Sequence, residues 1–161
     1  MKGRITLAVF LLVVTGCARP HVMPLLPPPY RAELTAPYEK VWRSLILALA
    51  QENTPIRAVA KDSGVIASDD IVTPIGVYAD CGRFGDVEVE GEALVAFTVF
   101  VQPQGAETTS LQVNSKMRTS AFRRGQSGKL RNQPVLQCAS TGRWESNLFD
   151  AVRRLVKDQK E

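Results

Sequence analysis

Val87-Glu88-Val89-Glu90-Gly91-Glu92-Ala93-Leu94-Val95-Ala96-Phe97-Thr98-Val99-Phe100-Val101-Gln102-Pro103-Gln104-Gly105 is the stretch on which the fold turns. Residues 87–90 alternate apolar and charged, the period of two that a half-buried strand requires. Gly91 interrupts that pattern as a bulge would. Leu94 to Val101 is then apolar at both parities, which predicts a central strand with its edges paired. Pro103-Gln104-Gly105 reverses the chain. The return strand puts Leu111, Val113 and Met117 on one face and Gln112, Asn114, Lys116 and Arg118 on the other. The sheet therefore has one covered face and at least one strand with a wet face.

Two amphipathic segments supply the cover. Tyr38, Val41, Trp42, Leu45 and Leu49 recur at helical spacing, with Pro37 suited to the first turn and Glu39 to the positive end of the helix dipole. Trp42 on that stripe reads as core. The helix is expected to stop by Asn53-Thr54-Pro55. At the other end of the chain, Ser140, Thr141 or Gly142 caps a second helix with Glu145 in its first turn. Trp144, Leu148, Val152 and Leu155 form its buried stripe, widened by Phe149 and Val156. Between them, residues 56–60 and 65–68 flank Lys61-Asp62-Ser63-Gly64, a hairpin turn in which Gly64 can take a positive φ. Asp69-Asp70 reads as a solvated strand end, because adjacent strand residues point to opposite faces. Residues 73–86 carry Pro74, Gly76, Gly82 and Gly85 and predict a long irregular connection that contains Cys81. Helix, hairpin, long hairpin, helix predicts an α+β domain over residues 36–161. Its antiparallel sheet would have about four to five strands, with two helices packed on one face.

Upstream of that domain the chain changes character. Lys2 and Arg4 precede a ten-residue apolar run, Ile5 to Val14. A spanning helix needs roughly 20 apolar residues, so this run matches a secretory signal instead. Val14-Thr15-Gly16-Cys17 resembles the bacterial lipobox. The resemblance implies a lipoprotein signal peptide over 1–16, a thioether-linked diacylglyceryl group on Cys17, and acylation of the new amino terminus. Several acyl chains make such an attachment effectively permanent, at about 0.8 kcal/mol per buried methylene. Ala18, and not an aspartate, follows the cysteine, which by the same resemblance favours the outer membrane. Residues 17–35 then read as a lipidated, proline-rich tether, with Pro27-Pro28-Pro29 favouring extended polyproline II. Val22, Met23, Leu25 and Leu26 are unusually apolar for a spacer and also suit docking to a partner.

Charge and cysteine usage narrow the function classes. The formal charge of +4 includes Lys2 and Arg4, so the exported chain carries only about +2, too little for a whole-protein basicity argument. Nucleic acid is not an expected partner outside the cytoplasm. A local excess survives between positions 116 and 131. Lys116, Arg118, Arg123, Arg124, Lys129 and Arg131 occur there without an acidic residue, around a Gly125-Gln126-Ser127-Gly128 segment expected to be a mobile loop. It reads either as a solvated loop or as a contact for phosphates of lipid headgroups, lipopolysaccharide or an acidic partner. With Cys17 used by the lipid, Cys81 and Cys138 are most simply a disulfide in an oxidising compartment. A catalytic thiol or a metal site fits less well: the only histidine, His21, lies in the tether, and no CxxC spacing occurs.

Tyr38-x-x-Val41-Trp42, the Asp62-Ser63-Gly64-Val65-Ile66 hairpin, and Cys138-Ala139-Ser140-Thr141-Gly142 leading into a terminal helix with Glu145 carry a wider resemblance. Over residues 32–158 the chain is similar to small proteobacterial outer-membrane lipoproteins. Their domains are similar to the helix-grip domains of BamC, the lipoprotein of the outer-membrane β-barrel assembly machinery. The resemblance implies a helix-grip-like fold and an outer-membrane, periplasm-facing location. It carries over no functional residue, cofactor or metal. The expected function is that of a lipid-anchored accessory lipoprotein that docks envelope proteins. The alternative is a small-ligand or lipid-binding module with a cleft between sheet and helices, which side chains of Trp42, Trp144 and the phenylalanines would fill if it were absent. No Ser-His-Asp set or metal cluster is present in the sequence of the domain, so no enzyme is expected.

Overall fold

A computed structural model describes residues 20–124 and 131–159. Its strands are β1 His21–Val22, β2 Tyr30–Leu34, β3 Ile56–Ala60, β4 Val65–Ser68, β5 Ile71–Pro74, β6 Ala79–Asp80, β7 Arg83–Phe84, β8 Val87–Pro103, β9 Thr109–Arg124 and β10 Arg131–Ser140. Its helices are α1 Tyr38–Gln51 and α2 Arg143–Asp158. The α+β class, with two helices against one antiparallel sheet, stands.

The long hairpin is the frame. β8 and β9 pair antiparallel from Pro103↔Thr109 to Val89↔Arg124. β4, β5 and β7 all line the far edge of β8, while β2 and β10 share the far edge of β9. Along β8 the side chains of Ala93, Val95, Phe97, Val99 and Val101 are buried, and those of Leu94, Ala96, Thr98 and Phe100 are only half-buried. So the strand is central at its edges and covered on one face, although its sequence is apolar on both. The expected irregularity near Gly91 is present, with its extra residue on the partner: three residues of β9 lie opposite two of β8 between the Gly91↔Phe122 and Leu94↔Arg118 pairs. That insertion reverses the parity of β9, so Phe122 is buried like Met117 and Thr119 before it.

The sheet has more strands than the about four to five expected from pattern. The additions are short: β1, β6 and β7 have two residues each. Segments of that length carry no period; β1 and β6 are strands through partners distant in sequence, and β7 also through a tight Gly85-Asp86 hairpin onto β8. Residues 30–34, expected in the tether, pair in register with Val113 to Thr109.

Both helices close on the covered face. α1 is entered through Pro37 and left through Asn53, whose φ of 49° completes a Schellman turn with Asn53 N–H donating to Ala50 O and Thr54 N–H to Leu49 O. Val41, Trp42, Leu45, Ala48 and Leu49 face the core. α2 buries Trp144, Leu148, Phe149, Ala151 and Val152, and packs against α1. The Trp144 and Phe97 rings stack with centroids 3.4 Å apart. At the β3–β4 turn, Gly64 has φ 66°, and a Cβ there would meet Val101 O at 2.0 Å, so the position admits only glycine. Beside this turn the Tyr38 hydroxyl donates to Lys61 O at 2.6 Å. Desolvation first, and the Glu39 carboxylate second, raise the Tyr38 pKa above the ordinary phenol value of 10.0.

Candidate functional site

The expected Cys81–Cys138 disulfide is formed and ties the segment after β6 to β10. Closing a loop of this length stabilises by about 4 kcal/mol in the chain-entropy account. The cross-link also fixes the place where the N-terminal segment returns. His21 Nε2 donates to Cys81 O at 2.8 Å, its ring lies 4.9 Å from that of Phe84, and β1 pairs with β7. His21, given no role by the sequence, is therefore a clasp between the N-terminal segment and the disulfide.

Beside the clasp lies an open groove of about 1020 Å³. Val22, Met23 and Ile75 give it apolar walls, and Val22 and Met23 are about half exposed. Its charged rim holds Asp80, Glu88, Glu90 and Glu92 against Arg83 and Arg123. The two arginines stand directly across strands from carboxylate residues, Arg83 from Glu88 and Arg123 from Glu90. Opposed charges at this spacing contribute roughly 0.2–1 kcal/mol each and leave the rim net acidic.

A second concavity, of about 240 Å³, opens where β9 has no strand on one side. β2 ends its pairing at Val113 and β10 begins at Met117, so Asn114, Ser115 and Lys116 face a gap. Leu26, the Pro27–Pro29 segment and Tyr30 wall this slot, and Glu145 of α2 lies at its base. Glu145 is 4% exposed. Its Oε1 accepts from the Ser115 hydroxyl and, at 2.6 Å, from the Ser140 hydroxyl. Ser140 in turn accepts from Gly142 N–H; of the three residues expected to cap this helix, Gly142 is the N-cap, with no side-chain cap hydrogen bond.

The basic run lies on two paired strands. Lys116, Arg118, Arg123 and Arg124 belong to β9 and Arg131 to β10, so these five are strand residues and not part of a loop. Lys129, the expected loop 125–128, and Cys17 lie outside the described residues. Lys116 is exposed at the slot, and Arg118 donates to Asp70 at 2.6 Å. Asp70 is thus the ion-pair partner of a strand two positions along the sheet, a role its own neighbourhood in sequence does not signal. Between sheet and helices, where the ligand cleft was expected, Phe97, Trp144 and Phe149 are buried and Trp42 is 7% exposed. The concavities open instead at the sheet margins. Among the described residues, no group of three His, Cys, Asp or Glu side chains is placed to hold a metal, and no helix is long and apolar enough to cross a membrane.

No protein-family model matches the chain, and no curated protein matches it. Among solved structures, it is similar to norcoclaurine synthase from Thalictrum flavum in complex with dopamine and hydroxybenzaldehyde, at 11% identity and a TM-score of 0.38, over 83% of this chain and 87% of that one. A point mutant of the Thalictrum synthase in complex with a transition-state analogue is similar at 10% identity and the same TM-score, over 83% of this chain and 95% of that one. Likenesses of this degree transfer neither ligand nor activity.

Proposed function

We propose that the protein is a lipid-anchored accessory protein of the outer membrane, facing the periplasm, that acts by docking another envelope protein and not by catalysis. The observation that carries this reading is the clasp: His21, four residues after Cys17, is bound to Cys81 and Phe84. Four residues span at most about 14 Å. An anchor on Cys17 therefore holds the groove beside β1 close to the bilayer, in place of a long stalk holding the domain away from it. The groove offers apolar walls and a net acidic rim, which suit a partner segment bearing apolar and basic side chains. The carboxylates across from Arg83 and Arg123 favour a protein partner over an anionic headgroup.

Two measurements test the reading. Cys17→Ala is expected to move the protein from the membrane fraction to the soluble periplasmic fraction; a variant that stays with the outer membrane overturns the anchor. Photo-crosslinkers at Met23 and Glu90 are expected to capture an envelope protein in intact cells, where the same group at Glu107 or Asp150 does not. Identical capture at all four positions, or none, overturns the docking groove.

A further inference from the structure

We propose that the segment between β1 and β2 is a membrane-contact surface, with Leu25 and Leu26 seated in the headgroup layer of the bilayer that holds the Cys17 anchor. This contact rests on the anchored reading of Cys17 and adds a non-covalent attachment to it. Leu25 is 95% exposed, and Met23, Leu26 and Tyr30 are each more than a third exposed beside it. A single exposed leucine is ordinary, but a run of exposed apolar side chains marks a surface that meets something. Leu25 lines neither the groove nor the slot, so neither concavity accounts for it.

Chain length says what that surface meets. Four residues, at most about 14 Å, separate His21 from Cys17. An acylated cysteine sits at the base of the headgroup layer, which is roughly 5–8 Å thick on each side of a bilayer. His21 therefore lies within about 10 Å of the lipid surface, and Leu25 is only four residues further on. The segment is pinned at both ends, by the His21 bond to Cys81 and by the β2 ladder on β9, and its prolines hold φ between those points. Much of its ordering is thus done by the fold before it touches lipid.

The chemistry of the segment fits the headgroup layer. From Ala18 to Ala32 there is no acidic residue, and Arg19 and Arg31 flank the apolar stretch, as attraction to anionic headgroups requires. Pro24, Pro27, Pro28 and Pro29 have no backbone N–H, so immersing this stretch leaves few donors without a partner. Tyr30 ends it with the amphipathic ring favoured at that depth. Residues 22–30 carry no charge with which to select a protein partner, in contrast to the rim of the groove.

The test uses the full mature chain, acylated in cells and reconstituted into vesicles of phosphatidylethanolamine and phosphatidylglycerol. A dansyl side chain placed at Leu25 is expected to be quenched by bromine-labelled acyl chains severalfold more strongly than the same group at Val59 or Val72, exposed apolar positions of β3 and β5. Because dansyl is itself apolar, hydrogen exchange reads the unlabelled protein. Residues 22–30 are expected to exchange severalfold more slowly on vesicles than in the Cys17→Ala chain in solution, with β3 unchanged. Leu25→Asp with Leu26→Asp is expected to remove that protection while the acylated chain still floats with the vesicles. Protection that survives the double substitution, or a Leu25 position as wet as Val59, overturns the proposal. A chain that does not float overturns the anchor, and this contact with it. One that floats with residues 22–30 unprotected overturns the contact alone and leaves the segment to a protein partner.

Discussion

Along β8, every second side chain from Ala93 to Val101 is buried, while from His21 to Tyr30 none is. Both regions belong to the same sheet. The hairpin is held by the area it removes from water, a property distributed over many residues and repeated at a fixed period. The N-terminal segment is held at a few points: the His21 bond to Cys81, the Tyr30 ring 4.8 Å from that of Phe149, and the β2 ladder on β9. The difference teaches that the hairpin carries the core and the segment is pinned to its margin, which lets the segment shape both concavities without being part of the core.

The comparison breaks if a point attachment matters as much as the hairpin core. Phe97→Ala removes a side chain that is 2% exposed and stacked on Trp144, and is expected to destabilise by about 3–5 kcal/mol in denaturant unfolding. Tyr30→Ala, at 39% exposed, is expected to cost about 1–2 kcal/mol. Equal losses would mean that the segment is core after all.

The disulfide comes next in size and joins the two regions. Reducing it, or replacing both Cys81 and Cys138 by serine, is expected to lower stability by about 2–4 kcal/mol. It also sharpens the contrast, because Cys81 O is the acceptor for His21. Limited proteolysis within residues 22–29 is expected to speed up more than cleavage at the β8–β9 turn. His21→Ala separates the two effects: a net loss of about 1 kcal/mol for its hydrogen bond, with the same gain in cleavage at 22–29 while the disulfide stays intact. Unchanged cleavage in His21→Ala would remove the clasp.

What could be read from the sequence follows the same division. Alternation in residues 87–118, the two apolar helical stripes and the glycine at position 64 are local signals, and the cysteine pair, 57 residues apart, is read by count; each is where the physics places it. β1, β5 and β6 are strands because of what lies beside them in space, and two to four residues cannot announce a distant partner. The slot was illegible for the same reason. Glu145 reads as a first-turn acid, and nothing in its surroundings says that Ser115, thirty residues earlier, will occupy one oxygen and leave the other bare. Counting charges along 116–131 also leaves out Asp70, from the β4–β5 connection, and Glu90, from β8.

The smallest expected effect lies on the outer face of the hairpin and sharpens the comparison from the other side. Arg118 and Asp70 form a 2.6 Å pair, with side chains 38% and 41% exposed. At such exposure water screens the attraction and the ordering of two side chains offsets much of it, so a double-mutant cycle on Arg118→Ala and Asp70→Ala is expected to give under about 1 kcal/mol, falling further in salt. Arg118 lies opposite Leu94, only three residue pairs along the ladder from the buried Phe97. If the cycle returned a coupling as large as the Phe97→Ala loss, burial would not be the principle that separates the strong region of this sheet from the weak one. A small, salt-sensitive coupling keeps that principle, and leaves the outer-face arginine available to exchange Asp70 for another anion at little cost.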